Sequence, residues 1–302
     1  MAISRAQLAK ELEPGLNALF GLEFGRYENE HSEIYEEESS DRAFEEEVML
    51  GGFATAPVKS EGGAISFDDA QETYTARYTH ETIALAFSIT EEAIEDNLYD
   101  RLASRYTKAL ARSMATTKQI KAASILNNAF STGANVIGDG VALCSASHPS
   151  LSGTQTNLLS TAADLNETSL EQMLIDIAGF TDERGLKIAV RGTKLIIPKE
   201  LQFIAERVMN SALRSGTSDN DNNAMKNMGM LPEGAVVNHY LTDTDAFFIK
   251  TDAPNGFKYF NRAAIKTAME GDFDTGNMRF KARERYSFGV SDWRCVFGTP
   301  GA

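Results

Sequence analysis

Cys144 and His148 stand four residues apart in CSASHPSLSGTQTN, a spacing at which a thiol and an imidazole can act as nucleophile and base. A working pair also needs a third group to orient the base, and no local signature surrounds either residue. Structural roles are therefore expected for both, and a hydrolase built on Cys144 and His148 is kept as a reading from a different class. Asp243, Asp245 and Asp252 in LTDTDAFFIKTD gather carboxylates, but the glycine and closing glutamate of a calcium loop are missing. A turn leading into the strand AFFIK is expected there instead. Two cysteines and four histidines, none spaced as ligands on one helix face, predict neither a metal site nor a disulfide framework. The glycines of Gly138-Asp139-Gly140 and Gly51-Gly52 lack the strand, GxGxxG and helix context of a dinucleotide site. No cofactor and no enzymatic activity are expected.

Charge is patterned more sharply. In MRFKARERYSFGVSDW the cations Arg279, Lys281, Arg283 and Arg285 all have odd parity, so a strand presents them in one row while Phe280, Ala282, Tyr286 and Phe288 face the other way. That row is either a solvated face or a docking site for acid. The acid is concentrated in residues 28–47, ENEHSEIYEEESSDRAFEEE, where only Arg42 offsets it. Such a run reads as a solvated, loosely ordered arm, or as an arm that orders only against another copy.

The 302 residues carry a formal charge of −14, which argues against a nucleic-acid binder, because such proteins gain affinity by replacing phosphate counterions with Lys and Arg. At 42% hydrophobic and 24% charged, the chain has the makeup of a globular protein with a core of its own. The first twenty residues are charged where a secretory signal needs an apolar core, and no window is apolar for the ~18 residues of a membrane span. A chain made and kept in a reducing, cytosolic pool is expected, without a membrane partner.

These residues must be positioned by the elements around them. Leu8, Leu12, Leu16 and Leu19 have helical spacing over residues 3–21, with Pro14 expected to break or restart the helix. Residues 51–70 read as the limbs and tip of an extended hairpin. In ETYTARYTHETIALAFSITEEA, Tyr74, Ala76 and Tyr78 share one strand face, whereas Ile83, Leu85, Phe87 and Ile89 have the opposite parity, so the chain bends or bulges within residues 79–82. The first half should project and the second should be core. Thr90 is a fair N-cap with Glu91 and Glu92 behind it, and the stripe Ile94, Leu98, Leu102, Tyr106, Leu110 and Met114 opens a helix free of Pro and Gly as far as Phe130. About forty residues would make a rod of roughly 60 Å. Further on, residues 165–180 read as a helix capped by Asn166 or Thr168, with Leu170, Met173, Leu174 and Ile177 on its apolar face. LIIPKELQFIAERVM reads as a buried strand and then a helix opened by Pro198. Residues 216–227 read as a polar loop, with short strands AVVNHYL, AFFIK and FKYFNR beyond it and a strand pair over residues 278–297.

An arm, an extended loop, a long helix, an inserted domain and returning strands, in that order, resemble the Hong Kong 97-type phage capsid fold. More closely, EGGAISFDDAQETYTARYTH, FSITEEAIEDNLYDRL, ARSMATTKQIKAASILNNAF, SHPSLSGTQTN, LTDTDAFFIKTD and RERYSFGVSDWRCVFG are similar to the major head subunit of Mu-like and related tailed bacteriophages. This resemblance implies an α+β capsid fold: N-terminal arm (1–49), E-loop (50–82), peripheral domain with spine helix (83–150), axial domain (151–262) and peripheral return strands (263–302). It implies a non-enzymatic shell protein of the virion, assembled in the bacterial host cytoplasm as hexamers and pentamers of an icosahedral capsid that encloses double-stranded DNA. Portal, scaffolding and decoration proteins are the other implied partners. An acidic inner wall would let packed duplex slide. Since arm and E-loop begin within about 50 residues of Met1, scaffolding is expected from a separate protein, or not at all. An encapsulin-like bacterial nanocompartment shell is the alternative. Expected contacts between subunits involve Lys59, Asp68 and Asp69 of the E-loop, Glu36, Glu37 and Glu38 of the arm, and the row Arg279, Lys281, Arg283 and Arg285. Lys59 also lies where some members of the fold carry a crosslinking lysine, though nothing in its sequence surroundings supports that chemistry.

Overall fold

The computed structural model describes residues 5–90, 92–93, 99–133, 137–213, 222–272 and 275–302. Two four-stranded sheets organise it. The first has the order β1 (Glu36–Ser39), β10 (Phe257–Gly271), β11 (Met278–Val290), β4 (Glu81–Ile89). The second has the order β12 (Val296–Thr299), β9 (Phe247–Thr251), β7 (Gly192–Ile197), β8 (Ala235–Val237). The pair expected over residues 278–297 is thus divided: β11 lies between β10 and β4, whereas β12 pairs with β9 in the other sheet. The turn at Trp293–Cys295, capped by the Asp292 side chain on the Arg294 N–H, redirects the chain from one sheet to the other.

Two helices cover one face of the first sheet. The longer, α2 (Tyr99–Asn127), spans 29 residues or roughly 44 Å. It buries Ala103, Thr107, Leu110, Ala111, Met114, Ala115, Ala122, Ile125 and Leu126, a stripe advancing by three or four residues. The expected rod to Phe130 stops earlier, because Asn128 turns its side-chain amide onto the Ser124 carbonyl, 2.7 Å away, as the backbone leaves the helix. Tyr106, expected in the stripe, is about half exposed. Of the other expected positions here, Thr90 does accept from the Ala93 N–H, at 3.4 Å, while Glu91, Ile94, Leu98 and the Leu102 side chain lie outside the described residues, as do the Leu8 and Leu12 side chains and residues 214–221 of the polar loop.

The second helix, α1 (Arg5–Phe24), runs through Pro14 without a break. Proline removes a donor from the ladder, but Leu16 and Phe20 are buried against α2 and Phe280, and that packing holds the helix together. Helix α3 (Glu167–Ala178) has Asn166 as its cap, in a capping box with Ser169, and buries Leu170, Met173, Leu174 and Ile177 as the sequence predicts. After β7, Pro198 leads into a short 3-10 turn and α4 (Gln202–Asn210), followed by α5 (Ala224–Met228).

The acidic stretch is ordered by its own chain rather than by a neighbour. Ile34 and Tyr35 are buried, the Tyr35 hydroxyl donates to the Ala122 carbonyl at 2.8 Å, and β1 pairs in parallel with β10. Lys194 and Lys250 donate to the carbonyls of Glu33 and Ile34, each at 2.8 Å. The sequence reading missed these four anchors because they come from a helix and strands more than 80 residues away.

Candidate intersubunit surface

Strands β2 (Phe44–Gly51) and β3 (Gln71–Thr79) form an antiparallel hairpin, paired from Phe44↔Thr79 to Gly51↔Gln71. Apart from Gly51 its limbs therefore lie outside residues 51–70, and residues 52–70 between them form a loop without a strand ladder. The loop is uncovered: Val58 is 100%, Phe67 94% and Ile65 69% exposed. Lys59, also exposed, sits near its tip. At the base, Asp68 accepts from the Ala54 N–H at 2.7 Å and lies 3.8 Å from Arg184, whose guanidinium also donates to the Asp69 carbonyl at 2.7 Å. The Ala54 bond, with Arg184 behind it, holds the Asp68 carboxyl below its usual range.

The other end of the hairpin is bolted to the first sheet, so the half expected to project is partly buried there, while Ile83, Phe87 and Ile89 of β4 pack on the core as expected. Ala76 and Tyr78 of β3 are buried with Phe260, whereas Leu85 of β4 is 47% exposed. Tyr78 lies edge-on to Phe260 at 4.8 Å, and its hydroxyl meets Ser291, which in turn donates to Glu47. Gly289 is what permits this: a Cβ there would stand 2.4 Å from the Tyr78 ring. The bend expected at residues 79–82 falls on His80, the one residue between β3 and β4. Its ring is buried between the Ser40 and Ser287 hydroxyls, 2.9 Å from each. Burial, helped by the nearby Arg285 charge, lowers its pKa.

The cationic row is where parity put it. Arg279, Lys281 and Arg283 point to solvent and Arg285 is half-buried, while Phe280, Ala282 and Tyr286 are buried on the opposite face. Glu284 shares that buried face, a position the sequence reading passed over. It is held 2.6 Å from Lys118 of α2, whose ammonium also lies over Tyr286 and Phe24. Desolvation raises the Glu284 pKa against the pull of Lys118. Arg279 is paired with Asp272 at 2.6 Å. Glu38 and Glu47 both bind Lys258, which is nearly buried on β10, and Glu37 accepts from Asn261 at 3.2 Å. Desolvation alone would lower the Lys258 pKa, and its hydrogen bonds to Glu47 and Glu38 outweigh that and raise it. Lys258 and Arg184 were legible in principle: one is a lone lysine inside an apolar strand, the other a lone arginine in a turn.

The residues weighed for catalysis have structural partners. His148 lies 2.6 Å from Asp139 through Nδ1 and 3.0 Å from Asn157 Oδ1 through Nε2, and its ring stacks on Trp293 at 4.4 Å. Neither nitrogen serves Cys144, whose thiol is pushed up by burial. Asp243 accepts from the Asp245 and Ala246 N–H groups in a turn before β9, and Asp252 accepts from the Arg191 N–H. Among the described residues no group of His, Cys, Asp or Glu could hold a metal ion, and no helix is long and apolar enough to cross a membrane.

Solved structures share this arrangement. The chain superposes on the capsid of an empty GTA particle with a TM-score of 0.55 at 11% identity, covering 91% of each chain. It matches the capsid structure of the cyanophage P-SCSP1u at 0.55 and 13% identity, covering 89% of this chain and 86% of that one. A virus-like particle from Pyrococcus furiosus matches at 0.53 and 10% identity, covering 94% and 97%. The fold is the Hong Kong 97-like capsid fold. No curated protein sequence matches the chain. The model of the phage capsid protein family, however, matches residues 73–298, and the chain belongs to that family. The match does not choose a branch within it.

Proposed function

We propose that this chain is the major capsid protein of a tailed bacteriophage, and that its copies assemble as hexamers and pentamers into an icosahedral shell around double-stranded DNA. The observation that carries this reading is the phage capsid family match over residues 73–298. The hairpin β2–β3 with its loop acts as the E-loop across a neighbouring subunit. Support comes from Val58, Ile65 and Phe67, which this chain leaves uncovered and a neighbour would bury. Lys59 of that loop and the row Lys281, Arg283 and Arg285 are contacts between copies in this reading. A closed shell requires such heterologous contacts, repeated by symmetry. The protein's place is the virion, assembled in the host cytoplasm, and its role is structural rather than catalytic. Scaffolding, portal and decoration proteins enter through family likeness alone.

Electron microscopy of the purified protein tests the reading. Uniform, large closed particles are expected. A small shell loaded with a protein cargo would favour an encapsulin-like compartment. Absence of particles under all assembly conditions would overturn both.

A further inference from the structure

We propose that the free edge of β4 is a seam for β-augmentation, and that its occupant is the loop of residues 52–70 from a second copy of the chain. The inference rests on the shell reading, and it names the surface on which that reading's loop lands.

Strand β4 ends the order β1-β10-β11-β4, so β11 satisfies one side of its backbone. Among the described residues no strand pairs with the other side. Long edge strands in soluble proteins are guarded by charges, proline, bulges or a covering element. Residues 82–89, TIALAFSI, have no charge, no proline and no glycine, and their pairing with β11 is regular, without a bulge. Eight uncharged residues on an open edge, Thr82, Ile83, Phe87 and Ile89 of high β propensity among them, make a template for another strand. In a chain concentrated enough to assemble, that template needs a defined occupant to avoid an indiscriminate one.

The surroundings select the occupant. On the outer face of β4, Ala84, Ala86 and Ser88 are exposed and small, and they stand opposite Arg283, Lys281 and Arg279 in register. A strand added along β4 lies about 4.8 Å from it and about 10 Å from β11. Across methyl and hydroxymethyl groups alone, Lys281 and Arg283 reach over β4 to an acidic side chain on the added strand. On the opposite face, Leu85 is 47% exposed and offers an apolar contact.

The loop has both features. Its formal charge is −2, with Lys59 against Glu61, Asp68 and Asp69. Extended, residues 65–69 alternate so that Ile65 and Phe67 share one side while Ser66 and Asp68 share the other. The apolar side fits Leu85, and the acidic side faces the cations. Arg184 already holds the Asp68 end at 3.8 Å, so docking extends an anchored loop rather than recruiting a free one. Backbone pairing supplies the affinity and the alternating side chains supply register, as in other cases of strand addition.

Amide hydrogen exchange read by mass spectrometry, on unassembled protein and on purified particles, tests the seam. Peptides covering residues 81–89 and 52–70 are both expected to exchange at least about tenfold more slowly in particles. A second measurement uses Ala86→Cys with Ser66→Cys, which the docked register puts on one face, since the native Cys144 and Cys295 are buried. Oxidised particles should give covalent oligomers on a denaturing gel, and each single variant should not. Particles in which β4 gains no protection overturn the seam and leave the shell reading intact. Protection of β4 without protection of the loop, and without the crosslink, overturns the occupant. Failure to form particles at all overturns the shell reading, and the seam with it.

Discussion

At the scale of single residues, buried polar groups hold the molecule where the chain changes direction. His148 joins Asp139 and Asn157 and stacks on Trp293, and Asn157 itself donates to the carbonyls of Leu143, Trp293 and Val296. Replacing His148 by Ala leaves the buried Asp139 Oδ2 without its hydrogen-bond partner, a loss of about 1–3 kcal/mol on top of the ring's packing on Trp293, which a denaturant midpoint would read directly. Cys144→Ala removes only a small apolar group and should cost about 1 kcal/mol. The sequence reading had assigned both residues structural roles, but it would have treated them as equally dispensable; the partners of His148 decide otherwise. His80 gives a second test. Its pKa is lowered in the folded chain by burial and Arg285, so the unfolded chain takes up a proton first as the pH falls. The stability this ring contributes is therefore complete above about pH 6.5 and declines as the pH falls below it. His80→Gln should flatten the decline between pH 6.5 and 5 in a thermal-melt series. An unchanged slope would assign the acid sensitivity to other groups, of which His31, also lowered by burial, is the first to examine.

At the scale of elements, local pattern was legible and long-range partnership was not. The α3 cap and apolar face, the parity of β11 and the break near residue 80 were each readable because each is set by residues within one or two turns of chain. The two ends of the hairpin could not be read that way. Tyr78 is buried because Gly289 and Phe260, some two hundred residues away, make room for it, and the acidic arm is ordered because Lys194, Lys250 and Lys258 come to it. Spacing says nothing of who else is near: Cys144 and His148 stand four residues apart, yet the His148 ring bonds to Asp139 and Asn157. The loop of residues 52–70 is the element with least support from its own chain, so deleting residues 58–63 should leave the monomer folded. Shortening a flexible loop changes its closure entropy by only a few tenths of a kcal/mol. Particle yield should fall sharply while the thermal midpoint of the monomer stays within a few degrees. Normal, equally stable particles from the deletion would mean that this loop is dispensable for contact between copies.

At the scale of the whole molecule, the formal charge of −14 opposes bringing copies together, and any cationic surface counts for more in that field. Much of the acid is neutralised internally by lysines the sequence reading had not paired with it, and Arg279 is taken by Asp272. Lys281 and Arg283 remain turned to solvent on a sheet beside an unguarded edge. An exposed ion pair contributes only about 0–1 kcal/mol, but a shell repeats the contact in every copy, and partial desolvation at an interface strengthens each instance. Reversing both charges, Lys281→Glu with Arg283→Glu, lowers the formal charge by four per copy and places acid where an acidic loop would dock. The fold should tolerate this, because both side chains are on the solvent face of β11. Shell yield at low ionic strength should fall several-fold relative to the native chain. Part of it should return at high salt, where a screening length of about 3 Å at 1 M removes the repulsion. The native chain should gain less from salt than the variant, because salt screens its cation–acid attraction together with its net repulsion. Equal yields for both proteins at both salt concentrations would reduce the row to a solvated face and leave closure of the shell to backbone pairing and apolar contact.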